Sequence, residues 1–472
     1  MTHSIKMSLR ESKAARWTAL GIVSFTMMCG YFMTDVMAPL KPLLESTLGW
    51  DSENYGLFTS AYGWFNVFFL MLFFGGLILD KIGMRFTGIM ATGLMVIGAA
   101  VKYWAVSDVT LQASSWHFLW WTANMQVWMA SLGFAVFGVG VEVAGITVTK
   151  IIVKWFHGKE MALAMGLQVA LARVGTIMTM IFSERIASSY GLVSTPILLA
   201  LTLLCIGLIS FLAYVVMDVK LDRSDPVAVT ASAEDPFRLA DIGVIFRSNG
   251  FWLIAILCVL FYSAIFPFLK YAPDLMVNKF HIEGFTLFGI GVKSGDVPAM
   301  LPIGTLVLTP FFGYVYDRIG KGATILIAGS LMVFIIHAVF SIPAINSVWV
   351  ALMLFVLLGV AFSLVPSALW PSVPKIIPHK QLGTAYSLIF WIQNWGLMGV
   401  PYLIGWVLDK YCIVGQKTID DSSQNIYDYT FPMMIFTAFG LTAVIVAFLL
   451  KREDKRKKYG LELPNIEKLA TT

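Results

Sequence analysis

Glu142 and Arg173 are opposite charges set deep in apolar sequence. They lie in the stretch SLGFAVFGVGVEVAGITVTKIIVKWFHGKEMALAMGLQVALARVGT, Ser131 to Thr176, which reads as two long apolar helices joined by a short basic turn at 154–159. At about 1.5 Å of rise per residue, both charges sit roughly 18 to 21 Å from that turn, near the middle of a bilayer. Ionised groups at such depth usually face a cavity, a pathway or a partner. An arginine offers a planar fork to a carboxylate and a glutamate can hold an ammonium, so the two together suit a zwitterion. The competing reading is a permanent ion pair that ties the helices together. Gly138, Glu142 and Gly145 share one helix face, and Gly166, Ala170, Arg173 and Thr176 share another. These small-residue faces predict that the two helices pack on each other with each charge beside its opposite.

Other residues could hydrogen-bond a peptide group in the same interior. Gln393 and Asn394 stand between Trp391 and Trp395, Trp370 precedes Pro371, and Tyr62, Trp64 and Asn66 lie together. The amides are the stronger candidates, with interhelical packing as the alternative for each. Asp35 and Lys270 lie at the outer ends of two spans that internal symmetry makes equivalent, and they suit an outer gate, unless each charge simply snorkels to the interface. His337 reads as a satisfied structural histidine rather than a proton relay. The 24 methionines read as packing, since no Met-x-x-Met cluster joins with His or Cys.

The elements that must position these groups follow from composition. Of the 472 residues, 58% are hydrophobic and 13% charged, and the mean hydropathy is +0.78, which excludes an ordinary soluble protein. Apolar runs at about 17–38, 54–79, 86–106, 125–152, 160–185, 192–217, 250–273, 298–316, 322–342, 348–372, 384–408 and 430–450 predict an all-α membrane protein with twelve transmembrane helices. The one sizeable polar linker, 218–249, divides them into six-helix bundles at 17–217 and 250–450, flanked by a polar N-terminal segment, 1–16, and a basic tail, 451–472. The N-terminal segment, the linker, the tail and the loops on their side hold about 24 of the 33 lysines and arginines, which predicts cytoplasmic termini. The tail reads as a topology anchor and headgroup contact rather than a nucleic-acid site. On the other side, the loops 107–124, with Trp116, Trp120 and Trp121, and 410–429 read as tolerated interfacial insertions more readily than as caps of a vestibule. Four scattered cysteines suggest neither a disulfide framework nor a zinc site.

A repeat links the halves. Gly76, Asp80, Lys81, Gly83 and Arg85 follow the second span, and Gly313, Asp317, Arg318, Gly320 and Lys321 follow the eighth. The glycines permit close approach of helix ends, and each aspartate can meet a basic group or a helix N-terminus. This Gly-x-x-x-Asp-basic-x-Gly pattern resembles the loop signature of the major facilitator superfamily. The resemblance implies two six-helix bundles that rock about a central cavity lined mainly by spans 1, 4, 7 and 10, with Asp80, Arg85, Asp317 and Arg318 as gating residues.

Three longer stretches, at 137–175, 259–280 and 368–397, are similar to the lysosomal dipeptide-uniporter branch of that superfamily. The similarity implies cation-independent facilitated movement of dipeptides, with Glu142 and Arg173 matching the central charged pair. The departures are the two long loops, the absence of an Asn-x-Ser/Thr sequon and the lack of an acidic dileucine signal, from which a prokaryotic inner membrane is expected. The expected partners are a small zwitterion and the bilayer, with no nucleic acid, no cofactor and no metal, and the chain is expected to be a monomer. Proton coupling through Glu142 stays open at this stage. An organic-phosphate exchanger would want several central arginines, a transporter-like sensor would want an output domain, and an enzyme would want a nucleophile-base set.

Overall fold

The computed structural model describes residues 11–465 apart from 119–120, 157–159, 225–238, 284, 288 and 420–421. Its helices are α1 (Lys13–Asp35), α2 (Lys41–Leu48), α3 (Ser52–Ser60), α4 (Trp64–Phe68), α5 (Met71–Lys81), α6 (Met84–Ser107), α7 (Met125–Phe156) and α8 (Met161–Tyr190). There follow α9 (Thr195–Ser224), α10 (Leu239–Ile245), α11 (Asn249–Asn278), α12 (Met300–Ile319), α13 (Gly322–Phe340), α14 (Val348–Ile376), α15 (Leu382–Tyr411) and α16 (Thr430–Lys457). Nine of these, among the described residues, are long and apolar enough to cross a membrane, and α3–α4 with α5 makes a tenth span bent by 56°. The protein is therefore an all-α, multi-spanning membrane protein. Among the other long helices, α12 carries Pro310 inside it, and α15 carries Pro401 and the amides Gln393 and Asn394. The linker contains the short helix α10, while its central part, the N-terminal 1–10, the end of the tail and residues 157–159 of the basic turn lie outside the described residues.

Each long loop opposite the termini folds into an antiparallel hairpin. Strands β1 (Ser115–Phe118) and β2 (Trp121–Asn124) pair in the first; β3 (Thr286–Leu287) and β4 (Ile290–Gly291) pair between α11 and α12. Strands β5 (Ile413–Ile419) and β6 (Ser422–Tyr427) pair in the third. The first loop packs Trp121 against Trp64 and Tyr402, so it seals aromatic surface from both ends of the chain.

The bend of the second span falls at Leu70, whose φ is +53° although it is neither glycine nor asparagine. A break in the helical ladder leaves carbonyls without their i+4 donors. The indole N–H of Trp391 on α15 donates to the Val67 carbonyl at 3.1 Å, occupying one of them from outside the helix.

The N-terminal helices α1–α9 meet the C-terminal helices α11–α16 closely at the face opposite the termini, hereafter the far face. There α3 lies on α15 with backbone nearly touching backbone. A Cβ built on Gly405 would come within 2.1 Å of the Ser52 carbonyl oxygen and 3.0 Å of the Gly56 Cα. Gly405→Ala should therefore cost about 1–3 kcal/mol of overpacking in this arrangement. It is expected to lower the thermal midpoint of the detergent-purified protein, and an unchanged midpoint would show that this contact is not made in solution.

The small faces on α7 and α8 have different partners from those the spacing predicts. A Cβ on Gly138 would meet the Tyr62 carbonyl at 2.3 Å, one on Gly145 only the Met27 side chain at 3.9 Å and one on Gly166 nothing within 4 Å, while Thr176 bonds Asp35 of α1. Cβ atoms on the neighbouring Gly140 and Gly175 would meet the Ala91 carbonyl at 2.6 Å and the Met28 carbonyl at 2.1 Å. Thus α7 packs against the second span and α6, and α8 packs against α1. Helical periodicity places small residues on a face but does not name the helix that face meets.

Candidate substrate-binding site

Glu142 and Arg173 do not form an ion pair among the described residues; each has other company. The Tyr62 hydroxyl donates to Glu142 Oε1 at 2.7 Å, which fixes the carboxylate from the adjoining second span. The Arg173 guanidinium lies in a cage of three rings, 5.1 Å from Tyr31 on α1, 5.2 Å from Phe266 on α11 and 5.2 Å from Phe362 on α14. Ring faces stabilise a cation without consuming its N–H donors, at about 0.5–2 kcal/mol each. The fork of Arg173 is thus held in place by helices from both ends of the chain while its donors stay available.

The cage continues into an aromatic cluster on the C-terminal helices. Tyr262 packs on Phe266 and Phe362 and accepts the Trp370 indole N–H at 3.0 Å, and Trp370 stacks on Phe390. The sequence singled out Tyr62 and Trp370, and the structure brings both to this centre. It missed Tyr31, Tyr262, Phe266 and Phe362, because an aromatic residue in an apolar run looks the same whether it meets lipid, core or a guanidinium.

The other candidate residues sit elsewhere along the seam. Asn394 Nδ2 donates to the Phe390 carbonyl one turn back, at 3.0 Å, and its Oδ1 is buried without a partner among the described residues. Asn66 is fully buried with neither amide atom partnered among the described residues, and Gln393 is buried. Trp391 serves the bend, and Trp395 lies edge-on to Phe68 beside it. His337 is buried against Phe268 and Phe436 with Nε2 3.0 Å from the Ala264 carbonyl, inside the C-terminal helices and away from the cage.

Asp35 and Lys270 meet, carboxylate to ammonium, at 2.6 Å. Thr176 donates to the other oxygen of Asp35 at 2.8 Å, and Lys270 also reaches the Thr34 carbonyl at 2.6 Å. This hub joins α1, α8 and α11 just beyond the cage. Further pairs close the same face: Lys41 with Asp274 at 2.8 Å, both fully buried, and Arg185 with Asp296 at 2.6 Å, while Ser294 donates to Glu184 at 2.6 Å.

The repeated motifs are held differently. Asp80 accepts from Lys150 at 2.7 Å, and Arg85 binds Asp218 at 2.7 Å and also Asp222. Asp317 accepts from Asn465 Nδ2 at 2.8 Å, and Arg318 lies over the Tyr314 ring. All of these contacts stay within one set of helices or its own tail.

The model of the Major Facilitator Superfamily matches residues 20–401 and, in a second match, 294–468. This chain belongs to the major facilitator superfamily. It is a membrane transporter rather than an enzyme. The lysosomal dipeptide transporter MFSD1 of Homo sapiens is 28% identical over 407 residues, covering 84% of this chain and 81% of that protein. The Danio rerio protein of the same name is 27% identical over 444 residues, covering 92% and 86%. Among solved structures, a mutant of the nucleoside transporter NupG superposes with a TM-score of 0.68 at 14% identity, covering 92% of this chain and 98% of that one. A mutant of the peptide transporter POT in complex with alafosfalin gives 0.67 at 12% identity, covering 95% and 96%. These likenesses establish a shared fold.

The same matches overturn the expectation of a prokaryotic inner membrane. The curated relatives that cover most of this superfamily member are named as lysosomal transporters of vertebrates. Sequons and sorting signals are short loop or tail features, and their absence says little about a transmembrane core whose similarity is carried by packing.

Proposed function

We propose that this superfamily member moves dipeptides across the membrane by alternating access, with Arg173 receiving the peptide carboxylate and Glu142 its ammonium. The observation that carries this reading is the separation of the two charges. A permanent structural pair would have each neutralising the other, whereas among the described residues the fork of Arg173 is braced by three rings and Glu142 is oriented by a phenol. One guanidinium beside one carboxylate fits a zwitterion better than an organic phosphate, and the relatives named as dipeptide transporters support the same class. Trp370, Tyr262, Phe266 and Phe362 then offer an apolar wall for peptide side chains, and Gln393, Asn394 and Asn66 are amides available along the seam.

In this reading α1, the bent α3–α5, α6, α7, α8 and α9 form one six-helix bundle within 17–217. The second, within 250–450, is α11–α16, giving twelve spans. At 20 and 30 residues, α12 and α15 are each about 30 Å or longer, enough to span. The contacts across the far face make this a far-closed state in which the cage is reached from the side bearing the termini. Asp35 and Lys270 act as the far gate, and Asp80, Arg85, Asp317 and Arg318 are poised at the opposite one.

The test is counterflow of labelled dipeptide in proteoliposomes, with free amino acids, tripeptides and sugar phosphates as competitors and an imposed pH gradient as the second variable. Dipeptides should compete and the others should not, and the purified protein should gain thermal stability with dipeptide. Glu142→Gln should lose most of that gain. Equal stabilisation of the variant and the wild type would remove Glu142 from the clamp.

A further inference from the structure

One cluster on the far-face seam gathers five carboxyl groups around a single ammonium. Glu45 and Lys41 come from α2, Asp51 and Glu53 from the start of α3, Asp274 from α11 and Asp409 from the end of α15, with Tyr427 and Tyr429 beside them from the third hairpin and its end. The one ammonium among these residues, Lys41, bonds Asp274 at 2.8 Å and lies 3.6 Å from Glu45 Oε2. Tyr429 donates to the same Asp274, and Tyr402 donates to Glu53 at 2.9 Å.

Tyr427 makes the imbalance specific. Its single hydroxyl lies 2.9 Å from Glu45 Oε1 and 2.8 Å from Asp409 Oδ1, and it also accepts from Asn425 Nδ2 at 3.3 Å. A phenol has one proton to give. Two ionised carboxylates cannot both be bonded to it, so the second contact needs a proton on a carboxyl. Asp409 Oδ2 already accepts the Glu53 backbone N–H, and Glu45 Oε1 the Asn425 backbone N–H at 3.1 Å. Independently, Glu45 Oε2 is buried and accepts no hydrogen bond among the described residues, and neither does Asp274 Oδ1. Buried carboxylate oxygens with no donor mark a site short of protons rather than of acceptors.

We propose that Glu45, Tyr427 and Asp409, with Asp51 alongside, form a proton-binding site whose occupancy holds the far face closed. The chain joins α2 and α3 to α15 and β6, so it exists only while the two sets of helices are together. Opening the seam would carry Tyr427 and Asp409 away from Glu45, hydrate the oxygens that share the proton and release it to water. Burial, and then the charge of Asp409, push Asp51 up to about 7, and burial raises Glu45 against the opposing pull of Lys41. Both are raised in the closed state, so closure is favoured at low pH and weakens as pH rises between the ordinary carboxylate range, about 4, and about 7. For each proton released, the ratio of open to closed molecules should rise up to about tenfold per pH unit in that window. The titration belongs to the cluster and not to one residue.

The readout is the distance between spin labels at Val109 and Val414, exposed positions on far-face loops of the two sets. It needs no substrate, so its outcome is separate from that of the dipeptide reading. In reconstituted wild type the long-distance fraction should grow from pH 5 to about pH 7 and level off by pH 8. Asp409→Asn with Glu45→Gln, which mimics the protonated groups, should keep the short distance at every pH. Tyr427→Phe, which retains the ring and loses the bridge, should open more readily at pH 5 and respond less to pH. A wild-type distribution that does not change from pH 5 to pH 8 would overturn the proposal, as would a full wild-type slope in the double variant or in Tyr427→Phe.

Discussion

Arg173→Ala is expected to abolish dipeptide-dependent thermal stabilisation and to reduce counterflow by at least about 100-fold. Two charge-assisted hydrogen bonds to a substrate carboxylate are worth about 1.5–3 kcal/mol each, and their loss together corresponds to two or more decades of affinity. The unliganded protein should tolerate the change, because among the described residues Arg173 forms no ion pair and gives up its ring contacts. Arg173→Lys is expected to behave much like the alanine variant. A lysine keeps the charge, but its compact, strongly hydrated ammonium cannot present two parallel donors or spread flat among Tyr31, Phe266 and Phe362. Near-normal counterflow in Arg173→Lys would mean that charge alone is read at this position.

The second large effect belongs to the proposed far gate. Asp35 and Lys270 are mostly buried at 2.6 Å, and removing one partner leaves the other charge in a poorly hydrated place, at a cost of about 3–5 kcal/mol. Asp35→Ala and Lys270→Ala should each disfavour the far-closed state enough to suppress exchange by roughly 100-fold or more. The charge-reversed pair, Asp35→Lys with Lys270→Asp, should recover a substantial part of it. Recovery should stop short of wild type, since Thr176 donates to Asp35 and the Thr34 carbonyl accepts from Lys270 in the native orientation. No recovery at all in counterflow would remove the pair from the gate. Nearby Lys102, fully buried, bonds the Met33 carbonyl and lies 4.7 Å from the Phe134 ring, over which Lys270 also sits at 5.9 Å.

What could be read from the residues alone was what depends on local pattern. Each apolar run has a helix over it, because a bilayer-length run of apolar residues has few other ways to satisfy its backbone. The charges of Glu142, Arg173, Asp35 and Lys270 were conspicuous for the same reason, and the outer pair could be matched through the repeat. Partners were harder. The bend at Leu70 interrupts the run FFLMLFF without glycine or proline, so nothing in the spacing marks it. The 410–429 loop reads as an insertion, yet its hairpin carries Tyr427 to Glu45 and Asp409, a contact spanning 382 positions in one direction and 18 in the other. The cage around Arg173 is drawn from α1, α11 and α14, and only the packing of distant helices distinguishes its rings from others that face lipid.

The bend at Leu70 also bears on how quickly such a protein can change shape. In an unbroken helix the Val67 carbonyl would accept from the Met71 N–H; here it accepts from the Trp391 indole on the facing helix. One neutral donor substitutes for another, so straightening the span exchanges two bonds of similar strength with little net change in enthalpy. The part of the span on α3 can stay fixed to α15 while α5, with Asp80 near its end, swings as a separate arm. A single transmembrane segment would thus work as two levers on one pivot, the pivot's resistance set by how readily a tryptophan lets go.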